Sequence, residues 1–96
     1  MKITFKTIVG KTILVGITHL SEDGEVLERT QSWGTVVRAD KENCIVIQKA
    51  NSDETFTLPP DLRSFRIAPP GEYRLRSTGE VVVDPDLLTT WIITKP

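Results

Sequence analysis

Four arginines, Arg63, Arg66, Arg74 and Arg76, stand against one glutamate, Glu72, and give the stretch from Arg63 to Arg76 a local net charge of +3. A guanidinium presents a planar fork that grips phosphate or carboxylate through two parallel hydrogen bonds, so a surface lined by such groups suits an anionic partner. Strand alternation places Arg74 and Arg76 outward with Glu72 and turns Tyr73 and Leu75 inward. A simpler use is available, since Glu80, Asp84 and Asp86 follow on the adjoining run, and opposite charges facing across strands attract. Exposed pairs of that kind contribute little, and pairing is the plainer of the two expectations. Trp33 and Trp91 complete the candidate binding set. A core with six aromatics draws on most of them, so both tryptophans are expected to be buried; exposure beside the arginines would instead make a groove.

Other reactive groups are sparse. His19 is the single histidine and lies on the Ile13, Val15, Ile17 face of a β-prone run, where a rim position over the core accounts for it. Cys44 leads an apolar strand and packs there as a small hydrophobe; a nucleophile needs an adjacent base or a helix N-terminus. One Cys and one His leave only carboxylates for a metal, and Asp84-Pro85-Asp86 lacks calcium-loop spacing. Asp61, Glu72, Glu80, Asp84 and Asp86 fall at turns or on outward positions, and the six glycines lie singly, without a phosphate-cradling loop. No catalytic residue, metal or cofactor is expected.

Composition sets further bounds. Twelve Lys+Arg against thirteen Asp+Glu give a formal charge of -1, so nucleic acid would have to bind through a local patch. An acidic group, Glu22, Asp23, Glu25 and Glu28, sits elsewhere, and such charge separation favours self-association or docking on another protein. A lone cysteine forms no internal disulfide and points to a reducing, cytoplasmic setting. Lys2, Lys6 and Lys11 interrupt the apolar residues of the first sixteen, leaving neither a signal-peptide core nor a membrane span.

The elements that must position these groups are short strands. Turn residues recur at Asp23-Gly24, Lys41 to Asn43, Asn51 to Asp53, Pro69-Pro70-Gly71 and Ser77 to Gly79, intervals long enough for a strand and too short for a helical crossover. Lys11 to Leu20 and Glu25 to Asp40 form the first hairpin through a type I′ turn at Asp23-Gly24. Gly34 marks a bend or bulge in the second strand. Cys44 to Ala50 pairs with Glu54 to Leu58; Pro59-Pro60 interrupts the sheet, and Asp61 to Phe65 makes one helical turn. Glu72 to Arg76 and Glu80 to Asp84 form a third hairpin. Asp84 with Pro85 is expected to cap a short helical turn through Leu88, ahead of a strand from Trp91 to Thr94. The fold expected is one all-β domain over residues 1–96: a small antiparallel, partly open barrel with a C-terminal β-hairpin extension.

Gly34-Thr35-Val36-Val37-Arg38-Ala39-Asp40, then Ile45-Val46-Ile47 and Phe56-Thr57-Leu58-Pro59, resemble the bent second strand and following hairpin of SH3-like and Sm-like small barrels. The resemblance covers about a third of the chain and implies that barrel. Ile45-Val46-Ile47 stands where Sm proteins carry a hydrophobic-Asn element, a departure from Sm-type RNA binding. Pro59 to Arg63 and Pro70 to Val82 also resemble segments of short bacterial β proteins, which implies a bacterial source and no activity. The function expected is a non-enzymatic interaction module, binding a protein partner or itself through a strand edge or an Arg/aromatic face. RNA or single-stranded DNA binding through the local basic patch is the alternative.

Overall fold

The β-branched and aromatic runs fold into eight strands: β1 (Thr12–Leu20), β2 (Val26–Ala39), β3 (Ile45–Lys49), β4 (Thr55–Leu58), β5 (Phe65–Ile67), β6 (Glu72–Arg74), β7 (Val81–Val83) and β8 (Leu87–Thr94). A single 3₁₀ turn (Leu62–Ser64) precedes β5, as the Asp61 to Phe65 segment predicts. The computed structural model describes residues 1–94. The architecture is all-β, and among the described residues no helix is long and apolar enough to cross a membrane.

Six strands form one sheet in the order β4-β3-β2-β1-β8-β5, while β6 and β7 form a separate hairpin. The sheet is open, with β4 and β5 as its outermost strands, and does not close into a barrel. It is also mixed rather than antiparallel. Strand β8 runs parallel to β1, from Ile13 opposite Leu87 to Leu20 opposite Thr94. A parallel pair needs a long connection. Here everything from β2 to β7 supplies it, a return that local turn signals do not reveal.

Both faces of this sheet are covered at one end. On the inner face Ile13 and Val15 pack with Val36, Ile45, Ile47, Leu58, Phe65 and Leu87, and Ile8 plugs the space from the N-terminal segment. On the outer face Leu14 packs with Leu75 and Val82 of the β6-β7 hairpin, flanked by Trp33, Tyr73 and Leu88. Three consecutive β1 residues are therefore buried, the pattern of a strand covered on both sides. The hairpin expected as a C-terminal extension is thus a lid over the sheet, inserted before the last strand.

Local chemistry corrects three turn assignments. Asp84 caps no helix. It adopts φ 47°, its carboxylate accepts the Gly71 N–H at 2.7 Å, and its own N–H donates to the Gly71 carbonyl at 2.8 Å, closing the hairpin base. With its acceptors committed there, the chain continues extended from Leu87. The first hairpin uses a longer loop than a type I′ pair: only Gly24 has positive φ, and Ser21 N–H donates to the Glu25 carbonyl. The β2 irregularities fall between Val36 and Arg38 beside β3 and between Val26 and Glu28 beside β1, rather than at Gly34. Gly34 serves close approach instead, since a Cβ there would lie 2.0 Å from the Gln48 carbonyl oxygen on β3.

Past the core, β2, β1 and β8 run on as a narrow ribbon with Val26, Leu27, Ile92 and Ile93 exposed. The ribbon helps raise the radius of gyration to 13.4 Å, above the roughly 12.5 Å typical of this length.

Two glycine substitutions separate these roles. Gly34→Ala is expected to lose about 3 kcal/mol, because backbone must move to admit the methyl group. Gly16→Ala, where a Cβ meets only Thr90 Cγ2 at 3.6 Å, is expected to be neutral or stabilising by about 0.5 kcal/mol. Urea denaturation of both variants measures the difference.

Candidate binding surface

Residues that face one another across paired strands share a side of the sheet. Outward from Leu14 and Trp33, the outer side of β1 continues through Gly16 and Thr18, that of β2 through Gln31 and Arg29, and that of β8 through Thr90 and Ile92. Small side chains make a low floor here, beyond the hairpin lid. Arg29 and Arg76 border a groove of about 310 Å³ over Gly16, Thr18, Gln31 and Thr90. Arg66 lines a smaller hollow, about 120 Å³, that shares Thr90.

The Arg76 backbone is fixed over β2. Its N–H donates to Gln31 Oε1 at 2.6 Å, and Ser77 Oγ donates to the Gln31 carbonyl at 3.1 Å. Leu75 is buried beneath, so the turn swings Arg76 off the line of β6 and toward the groove. Arg74 goes the other way: Tyr73 packs inward, and Arg74 is exposed on the opposite side of β6. The shared outward face expected for Arg74 and Arg76 is therefore divided, because β6 ends at Arg74.

The carboxylates expected to neutralise these arginines have other partners. Glu80 accepts the Trp33 indole N–H at 3.1 Å; Asp84 holds Gly71; Asp86 accepts the Thr12 N–H at 2.9 Å and its hydroxyl at 3.0 Å. Among the described residues the one ion pair is Arg63 to Asp61, at 2.7 Å. Arg63 is thereby matched beside the 3₁₀ turn, whereas Arg29, Arg66, Arg74 and Arg76 have no carboxylate at that range.

The two tryptophans lie on opposite sides of the sheet, Trp33 on the outer side with Gln31 and Arg29 and Trp91 on the inner side. Trp33 is half-buried under the hairpin, and Trp91 is half-buried against the inner core. The Trp91 Nε1 and His19 Nδ1 atoms are buried without a hydrogen-bond partner among the described residues. Cys44 is half-buried and lies beyond the Ala39 end of β2, while His19 faces Glu28 near the other end, so the register keeps them apart. Among the described residues no three His, Cys, Asp or Glu side chains come together in a way that could hold a metal ion.

Arg29 escapes a sequence reading centred on the Arg63 to Arg76 segment, although its alternation with Gln31 and Trp33 marks a shared face. Comparison with family models, curated proteins and solved structures finds no match to this chain.

The Asp61 carboxyl is lowered from 3.8 to about 2, chiefly by the Arg63 side-chain hydrogen bonds and then by the Arg63 N–H. A carboxyl depressed in the folded state stabilises it above the unfolded pKa, and that contribution fades as pH falls from about 4 to about 2. An NMR titration of the Asp61 carboxyl is expected to show a midpoint near 2 that rises in Arg63→Ala.

Proposed function

We propose that the chain is a non-enzymatic protein-interaction module that receives an acidic segment of a protein partner on the face bordered by Arg29, Arg66 and Arg76. The observation that carries this reading is the commitment of Glu80, Asp84 and Asp86 to backbone and indole donors, which leaves three guanidinium groups unneutralised around one low floor. Guanidinium forks discriminate planar carboxylates by geometry as well as charge. A groove of about 310 Å³ with a threonine and glycine floor suits an extended peptide better than an enclosed small molecule. Nucleic acid is the weaker reading, because the two tryptophans pack on the cores instead of offering free faces for base stacking.

A partly open SH3-like or Sm-like barrel belongs to the same proposal. Its support is the inner core shared by β1 to β5 and β8. A cytoplasmic setting is likewise proposed, on the free Cys44.

The test is an amide NMR titration with a glutamate-rich peptide and, separately, with a single-stranded oligonucleotide. The peptide is expected to shift Gly16, Thr18, Gln31 and Thr90, with affinity at least about tenfold weaker in Arg29→Glu/Arg76→Glu. Shifts with the oligonucleotide alone would transfer the face to nucleic acid, and no shift with either would end its candidacy.

A further inference from the structure

A strand edge that carries unpaired N–H and C=O groups recruits another strand unless it is guarded. Three of the four open stretches in this sheet are guarded. The free side of β2 carries Glu28 and Arg29 and is met at Gln31 by Ser77. Strand β4 has four residues and runs into Pro59-Pro60; β5 has three, with Arg66 at its centre. The fourth is different. Strand β5 pairs with β8 only from Leu87 to Thr89, where Ser64 of the 3₁₀ turn meets Thr89, so Thr90-Trp91-Ile92-Ile93-Thr94 lacks a paired strand on that side among the described residues. Charge and proline follow it in the sequence only at Lys95-Pro96; the stretch itself is a residue longer than β4 and holds neither, and Ile92 is 70% and Ile93 43% exposed.

We infer that two copies of the chain join antiparallel through this edge of β8, about a twofold axis at Ile92. The pairing is self-complementary. Ile92 faces Ile92 of the second copy, Trp91 faces its Ile93, and Thr90 faces its Thr94, so each contact matches residues of one face and one character. Charge agrees as well. The loop of one copy that carries Glu22, Asp23 and Glu25 comes alongside β5 of the other, which carries the unneutralised Arg66. Because the axis is perpendicular to the sheet, both arginine grooves lie on one side of a continuous sheet.

The inference deepens the binding-module reading by naming the occupant of the strand edge; it shares Arg66 with the arginine face and otherwise rests on the β8 edge alone. Sedimentation of the full chain over a concentration series is expected to show reversible growth from 10.8 kDa to twice that mass, with a Kd on the order of 10 µM for so small a contact. Ile92→Lys, a solvent-exposed change, is expected to weaken it at least about tenfold with the circular dichroism spectrum retained; Val26→Lys, on the opposite edge, leaves it unchanged. Facing residues of an antiparallel pair lie within disulfide reach, so Cys44→Ser/Ile92→Cys is expected to cross-link under oxidised glutathione far faster than Cys44→Ser/Val81→Cys. A chain that stays monomeric at about 0.5 mM, a dimer indifferent to Ile92→Lys, or equal cross-linking rates would overturn the inference. A monomer that still binds the acidic peptide would sink the dimer while leaving the arginine face intact.

Discussion

The burial of Ile13, Leu14 and Val15 on both sides of β1 is the constraint on which the other elements depend. An apolar run this short cannot be satisfied by one layer, because successive side chains point to opposite faces. The inner face is filled by the curved sheet and Ile8; the outer face requires the β6-β7 hairpin. Fully burying an aliphatic side chain contributes about 1.5–3 kcal/mol, so a lid that covers Leu14 while sheltering Leu75 and Val82 is stabilised where it sits. Its placement then decides which part of the outer face stays open.

The same lid explains the electrostatics. The hairpin needs its base closed and its tip anchored, and the donors at those points are the Gly71 amide and the Trp33 indole. Asp84 and Glu80 answer them. The part-buried Trp33 indole left without an acceptor would cost more than an exposed ion pair returns, so Glu80 goes to that donor while Asp84 closes the exposed hairpin base, and the arginines remain free. The basic character of the groove is thus a by-product of how the lid is fastened, and Arg76 arrives there because the turn beyond Leu75 is tied to Gln31.

Local features of the sequence reached as far as local physics does. Hairpins, the proline pause, the single 3₁₀ turn at Leu62–Ser64 and the inward direction of Tyr73 and Leu75 follow from alternation and turn chemistry, and the fold shows them. Asp84 misled because a carboxylate before a proline suits a helix start equally well until Gly71 competes for it. The parallel placement of β8 and the joining of Arg29 to Arg76 depend on contacts between segments far apart in the chain, which composition and spacing do not encode. Gly34 shows the boundary well: its presence announced an irregularity, while the Gln48 carbonyl that requires it lies on a neighbouring strand.

The parallel union of β1 and β8 also governs when the molecule can form. Its register joins Ile13 to Leu87, and Thr12 binds Asp86 across 74 positions of chain. Contacts of such sequence separation carry a large loop-closure entropy and slow the search for the native state. During synthesis, β1 emerges with Ile13 and Val15 uncovered, and its partner β8 follows only after β2 to β7 have been made. The nascent chain must therefore carry a half-built sheet while β2 to β7 are made, when exposed apolar strands are most prone to pair with the wrong neighbour.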